Sequence, residues 1–229
     1  MTKKYLSDEV YAKTLLSTET TDSDLVIKTG TAKTIVLDTT VYKDALMAFA
    51  FKGTNDEAVV DTFVGNIKQY KFEIGKVLYI NNTEAPHDYK YGTEIEIHLH
   101  WAIKSDLVAG DKVNWQFEFA IANSVRNGNV MTIFCDPANT AVFGTKTVQV
   151  EFTCPTGGLP AGTGLYTTIG TISGANMSNV KIGCAFIGTL SRIAKSAGGT
   201  SPATGTVYAQ NMGIHYQVDT LGSRTRTEK

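Results

Sequence analysis

The chain is poor in the features that most sequence diagnoses rest on. Among its 229 residues are only three cysteines and four histidines. Cys135, Cys154 and Cys184 are far apart, odd in number and without C-x-x-C spacing. They encode no disulfide framework, and three reduced, partly buried thiols in a protein that folds in cytosol are expected. No apolar run reaches the roughly 18 residues of a spanning helix. The opening M-T-K-K-Y-L-S-D-E leads into no apolar signal core, so no standard secretory signal is expected. Lysine and arginine total 21 against 22 acidic residues, for a net charge of −1. With no basic stripe there is no electrostatic footprint for a nucleic-acid backbone, and neither nucleic acid nor membrane is expected as a partner. The G-x-S-x-G elbow of serine hydrolases is missing, and so is the G-x-x-x-x-G-K-[ST] phosphate loop.

Helical periodicity is also scarce. Ser7 to Leu16 fits either a short helix capped by Ser7 or an extended arm that orders on a partner. Asp56 to Val64 reads as a helical turn or a loop. What fills the chain is strand signal. Val113, Trp115, Phe117, Phe119 and Ile121 alternate with polar residues, as do Val148, Val150 and Phe152. Further β-like runs rich in threonine, β-branched and aromatic residues are Ile35–Leu37, Val41–Phe51, Gln69–Ile80, Leu165–Ser173, Val180–Ile193 and Thr206–Val218. Gly75 and Gly183 inside them are read as bulge markers. Two long loops rich in Gly, Thr and Ser, Pro155–Gly164 and Ser196–Thr206, interrupt the runs. About nine strands and almost no helix imply an all-β fold: a β-sandwich, most simply a jelly roll, with an antiparallel barrel as the competing architecture. The expected organisation is an N-terminal arm or short helix over residues 1–32, one sandwich domain over 33–218 and a polar tail over 219–229.

The most informative stretch is E-I-E-I-H-L-H-W, Glu94 to Trp101. Ile95, Ile97, Leu99, Trp101 and Ile103 fall on one face, and Glu94, Glu96, His98 and His100 on the other. Lys104–Lys112, containing Gly110-Asp111, suggests a hairpin with the strand Val113–Ala122. That register sets Trp101 against Trp115 as a core aromatic pair, His98 against Glu118 and His100 against Gln116. The polar face then reads as a structural hydrogen-bond network of His98, His100, Glu96 and Glu118. A His98 paired with Glu118 or a neighbouring acid has a raised pKa. The competing reading is a cupin-like metal site using His98, His100 and either His87 or His215, motivated by the Gly92-to-His100 spacing. The glutamate that should follow is missing, and histidine ligation needs three or four converging groups. No catalytic residue and no cofactor are favoured. Glu94 and Glu96 are read as a solvated strand edge rather than a glycosidase pair.

Three stretches together resemble tailed-bacteriophage virion structural proteins. They are A-P-H-D-Y-K-Y-G-T-E-I-E-I-H-L-H-W (Ala85 to Trp101) followed by V-N-W-Q-F-E-F-A, the closing I-H-Y-Q-V-D-T-L-G-S-R (Ile214 to Arg224), and V-Y-K-D (Val41 to Asp44). The resemblance implies a non-enzymatic part of a phage particle, made in the bacterial cytoplasm: head decoration, head fibre, or tail or adaptor protein. It implies a β-sandwich that self-associates, often as a trimer, and other virion proteins as partners. A carbohydrate- or receptor-binding module on the virion is a further alternative, provided that aromatic side chains are exposed.

Overall fold

The computed structural model describes residues 25–28, 34–37, 41–122, 134–172, 180 and 183–218. The Ser7–Leu16 segment and the 219–229 tail lie outside the described residues. Within them the chain forms strands and no helix. Strands β1 (Leu25–Lys28) and β2 (Thr34–Leu37) pair only with each other. The rest build two antiparallel sheets. The first sets β3 (Val41–Met47), β15 (Val207–Val218), β8 (Ile95–Ile103) and β13 (Gly164–Ile172) side by side, and β6 (Ile67–Lys71) and β5 (Val59–Val64) extend it beyond the first residues of β15. The second sets β7 (Val77–Glu84), β14 (Ala185–Ile193), β9 (Lys112–Ala122) and β12 (Lys146–Thr153) side by side, with short strands β4 (Phe49–Ala50) on β7, and β10 (Cys135–Asp136) and β11 (Asn139–Phe143) continuing beside β9. No ladder joins the two sheets among the described residues, so the fold is a sandwich and not a closed barrel.

Period-two alternation explains the core directly. Ile95, Ile97, Leu99, Trp101 and Ile103 of β8 are buried, and so are Val113, Trp115, Phe117, Phe119 and Ile121 of β9. The two rows meet across the sandwich, with Trp101 and Trp115 edge to face at 5.7 Å between ring centroids. Each such side chain contributes about 1.5–3 kcal/mol on burial. On β15 the buried set changes parity, from Val207 and Ala209 to Met212, Ile214, Tyr216 and Val218. The ladder to β8 skips Gln210, and this bulge makes the change possible. A second bulge in β13, at Ile169, shifts its buried residues from Thr167 and Ile169 to Ile172.

Several sequence expectations need correction. The strands Glu94–Ile103 and Val113–Ala122 do not form a hairpin. The loop at 104–111 carries the chain from one sheet to the other, so Trp101 faces Trp115 across the core rather than along a ladder. In Asp56–Val64 a turn ends at Asp56 and residues 59–64 are strand β5. Gly75 and Gly183, at φ 82° and 68°, sit outside strands and turn the chain rather than bulge it. The two glycine-rich loops are tied to neighbouring segments by main-chain hydrogen bonds. Leu107 and Leu159 exchange main-chain hydrogen bonds, Cys154 N donates to Asp111 O at 2.7 Å, and Lys112 N donates to Thr200 O at 2.8 Å. Gly158 is needed in this lattice, because a Cβ there would meet Leu107 O at 2.8 Å and its φ is +69°. All three cysteines are buried thiols.

Candidate functional site

The polar face of β8 carries the chemistry. Its neighbours are β13 on one side and β15 on the other, with β3 beyond β15. The ladders set His98 beside Thr168 and Gly213, Glu96 beside Thr171 and His215, and His215 beside Asp44. Alternation points these side chains away from the core, yet His98 is fully buried. Tyr166 stacks on its ring at 5.1 Å and 23°, His215 lies at 4.3 Å, and His100 meets it edge-on at 5.3 Å. Gly213 is the floor of this packing. A Cβ there would sit 2.9 Å from His98 Nε2, so only glycine lets the imidazole lie against the β15 backbone.

Polar contacts define two halves. On one side Tyr166 OH donates to Glu96 Oε1 at 2.7 Å, and His215 Nδ1 lies 3.2 Å from the tyrosine oxygen and 3.3 Å from Glu96 Oε1. The tyrosine proton is committed to the carboxylate, so His215 Nδ1 meets these two oxygens as a donor. Burial raises the Glu96 pKa, but hydrogen bonds to Tyr166, Thr168 and His215 outweigh it, and the net shift is downward. Burial and the bond to Glu96 push Tyr166 up to about 12. On the other side Asp44, half exposed, reaches both histidines: Oδ1 is 3.4 Å from His98 Nε2 and Oδ2 is 3.3 Å from His215 Nε2. Neither ring nitrogen of His98 has a hydrogen-bond partner. Burial lowers the His98 pKa, and the pull of Asp44 does not overcome it. A recess of about 250 Å³ lined by Tyr42, Glu94, Glu96 and His215 opens beside the cluster.

The expected residues are thus partly assembled and partly separated. His98, His100 and Glu96 share one face. Glu118 does not join them: it lies on the outer face of the other sheet, paired with Thr147 and Thr189, and accepts from Thr145 Oγ1 at 2.7 Å. Gln116 is likewise in that sheet, hydrogen-bonded to Gln149. The raised His98 pKa expected from an acidic partner is replaced by a lowered one. Of the metal-site alternatives, His215 joins His98, whereas His100 turns its ring to Tyr166, and exposed His87 sits in the loop before β8, outside the group. The third converging group is Asp44. Sequence reasoning missed it and Tyr166 because both come from other strands, β3 and β13. Trp101 and Trp115 are fully buried and offer no carbohydrate platform.

No protein-family model matches the chain, and no curated protein sequence matches it. Matching solved structures include one titled as the structure of infectious bursal disease virus, Gx strain. It has 10% identity over 94% of this chain and 48% of the other, with a TM-score of 0.33. A second, of the Gt strain of the same virus, has 12% identity over 86% of this chain and 47% of the other, with a TM-score of 0.17. The chain spans about half the length of these chains. Likenesses this distant carry no weight for fold or role.

Proposed function

We propose that the chain is a structural component of a tailed-bacteriophage particle, a head decoration, head-fibre, tail or adaptor protein. In this reading it assembles in the bacterial cytoplasm and acts by subunit association, not catalysis. The observation that carries the reading is an apolar sheet margin left open to solvent. Among the described residues β5 is the last strand of its sheet, and the β5–β6 hairpin exposes Val59, Val60, Val64 and Ile67, each about half or more accessible. Leu46 of β3 is 68% exposed. Exposed apolar side chains on an unpaired edge are an association surface, because water otherwise faces both the hydrocarbon and the unpaired backbone. Closed rotational symmetry, here a homotrimer with other virion proteins as neighbours, covers such an edge on every copy.

Two further observations support the reading. The three stretches that resemble phage virion proteins meet in space: Lys43 pairs with Asp88, Tyr216 OH donates to Asp88 Oδ1 at 3.1 Å, and Lys90 N donates to Gln217 O at 2.7 Å. They form one structural unit, as a shared motif should. The strand orders β3-β15-β8-β13 and β7-β14-β9-β12 also support a jelly-roll winding, since successive long strands from β7 to β9 and from β12 to β15 alternate one by one between the sheets.

Light scattering on the purified chain tests the proposal. A trimer is expected, and Val60→Glu with Val64→Glu should shift it toward monomer while leaving the fold cooperative. A strict monomer at high concentration, with no labelling of phage particles by antibody to the protein, contradicts it.

A further inference from the structure

We propose that Asp44, His98 and His215 form a binding site for a divalent first-row transition cation of the zinc class, on the outer face of the β3-β15-β8 sheet. The inference is independent of the virion reading and holds or fails without it.

The geometry points there in three ways. One donor atom from each residue lies within 4.8 Å of the other two. A cation held tetrahedrally at roughly 2.0–2.2 Å from nitrogen and oxygen ligands sets those ligands roughly 3.3–3.6 Å apart. The Asp44 oxygens stand 3.4 Å from His98 Nε2 and 3.3 Å from His215 Nε2. Second, His98 is fully buried, has no hydrogen-bond partner on either nitrogen among the described residues, and carries Nε2 3.4 Å from an Asp44 oxygen. A buried imidazole left without partners is destabilising, and a cation on Nε2 removes part of that penalty. Third, His215 Nδ1 is engaged as a donor by Glu96 Oε1, at 3.3 Å, which leaves the Nε2 lone pair facing a carboxylate oxygen. Two lone pairs in that position repel unless a positive charge lies between them. A carboxylate holding the far nitrogen of a ligating histidine is the usual support of such a centre.

The donor set selects the ion. Two imidazoles and one carboxylate suit zinc, iron, nickel or cobalt, while magnesium and calcium prefer all-oxygen shells. Asp44 is 52% exposed in its side chain, and the recess beside His215 reaches the cluster, so the remaining coordination positions face solvent. His100 is not a ligand. Glu96 and Tyr166 are positioning residues that act through His215.

Equilibrium dialysis against zinc, on tag-free protein stripped with chelator and shown by circular dichroism to be folded, is the test. One zinc ion per chain is expected, with no comparable binding of magnesium. Asp44→Asn and His215→Gln, both at accessible positions that keep side-chain shape, should each weaken zinc by about tenfold or more, and Glu96→Gln by about 10–100-fold. His100→Gln should leave it unchanged. Folded protein that binds no stoichiometric zinc overturns the site. Zinc affinity that Asp44→Asn and His215→Gln do not alter also overturns it, as does equal affinity for magnesium.

Discussion

Two polar clusters sit on this sandwich, and they differ in whether their hydrogen bonds close. At the loop end, Glu151 accepts from Lys112 Nζ at 2.9 Å, from Ser196 N at 2.6 Å and from Ser196 Oγ at 2.7 Å. Nearby Asp111 accepts from Val108 N at 3.0 Å and from Thr200 Oγ1. Each of these carboxylates has its donors, and the result is a clamp on the glycine-rich loops. On the outer face of β8 the inventory does not balance: neither nitrogen of His98 makes a hydrogen bond among the described residues, and Asp44 confronts two imidazoles. A closed cluster is sufficient as structure. An open one, buried at its centre, has room in its chemistry for something further.

The contrast can be broken most strongly from below. Gly213→Val fills the floor on which His98 lies and presses on Ala45 O, 3.1 Å from where the new Cβ falls. Overpacking there should cost about 3 kcal/mol in urea denaturation. It should also eject the His98 ring, visible as a new exposed imidazole signal by NMR. If the variant is as stable as the parent, the tight floor is not a constraint.

A smaller effect sharpens the closed side. Lys112 first, and then Ser196, hold Glu151 down to about 2, below the ordinary value of 4.5. A carboxylate with a lowered folded pKa contributes stability that is present above its unfolded value and fades as pH falls through the folded one. Glu151→Gln should therefore lower the denaturation midpoint at neutral pH, and the difference from the parent should shrink between about pH 4.5 and pH 2. A difference that stays constant over that window means that charge is not what closes the clamp.

How far the chain could be read in advance follows from what each residue's partners are. The two faces of β8 were legible because alternation is local: every second residue from Ile95 to Ile103 is apolar, and that alone fixes which side is core. The partner strand was not legible. The short 104–111 loop, with its Gly110-Asp111, resembles a hairpin connection, but both strands are strongly apolar on one face. Burying the two faces against each other requires opposite sheets, which is what Trp101 and Trp115 do. The same error carried Glu118 to the wrong cluster. His98 and His215 were both visible as candidates, because imidazoles are few. Asp44 was hidden, since nothing in Val41–Met47 marks one acidic residue as the neighbour of a histidine two strands away. The bulge at Gln210 was equally silent, because no glycine or proline adjoins it, whereas Gly170 beside Ile169 was a usable signal for the other.

The most direct measurement compares one substitution in each cluster, in chelator so that no ion intervenes. Asp111→Ala, which strips Val108 N and Thr200 of their acceptor, should lower stability by about 2 kcal/mol. His98→Leu replaces an unpartnered buried imidazole with hydrocarbon of similar size and should leave the midpoint unchanged or raise it. A His98→Leu variant as destabilised as Asp111→Ala would show that the outer-face cluster is already complete, and would contradict the contrast between the two.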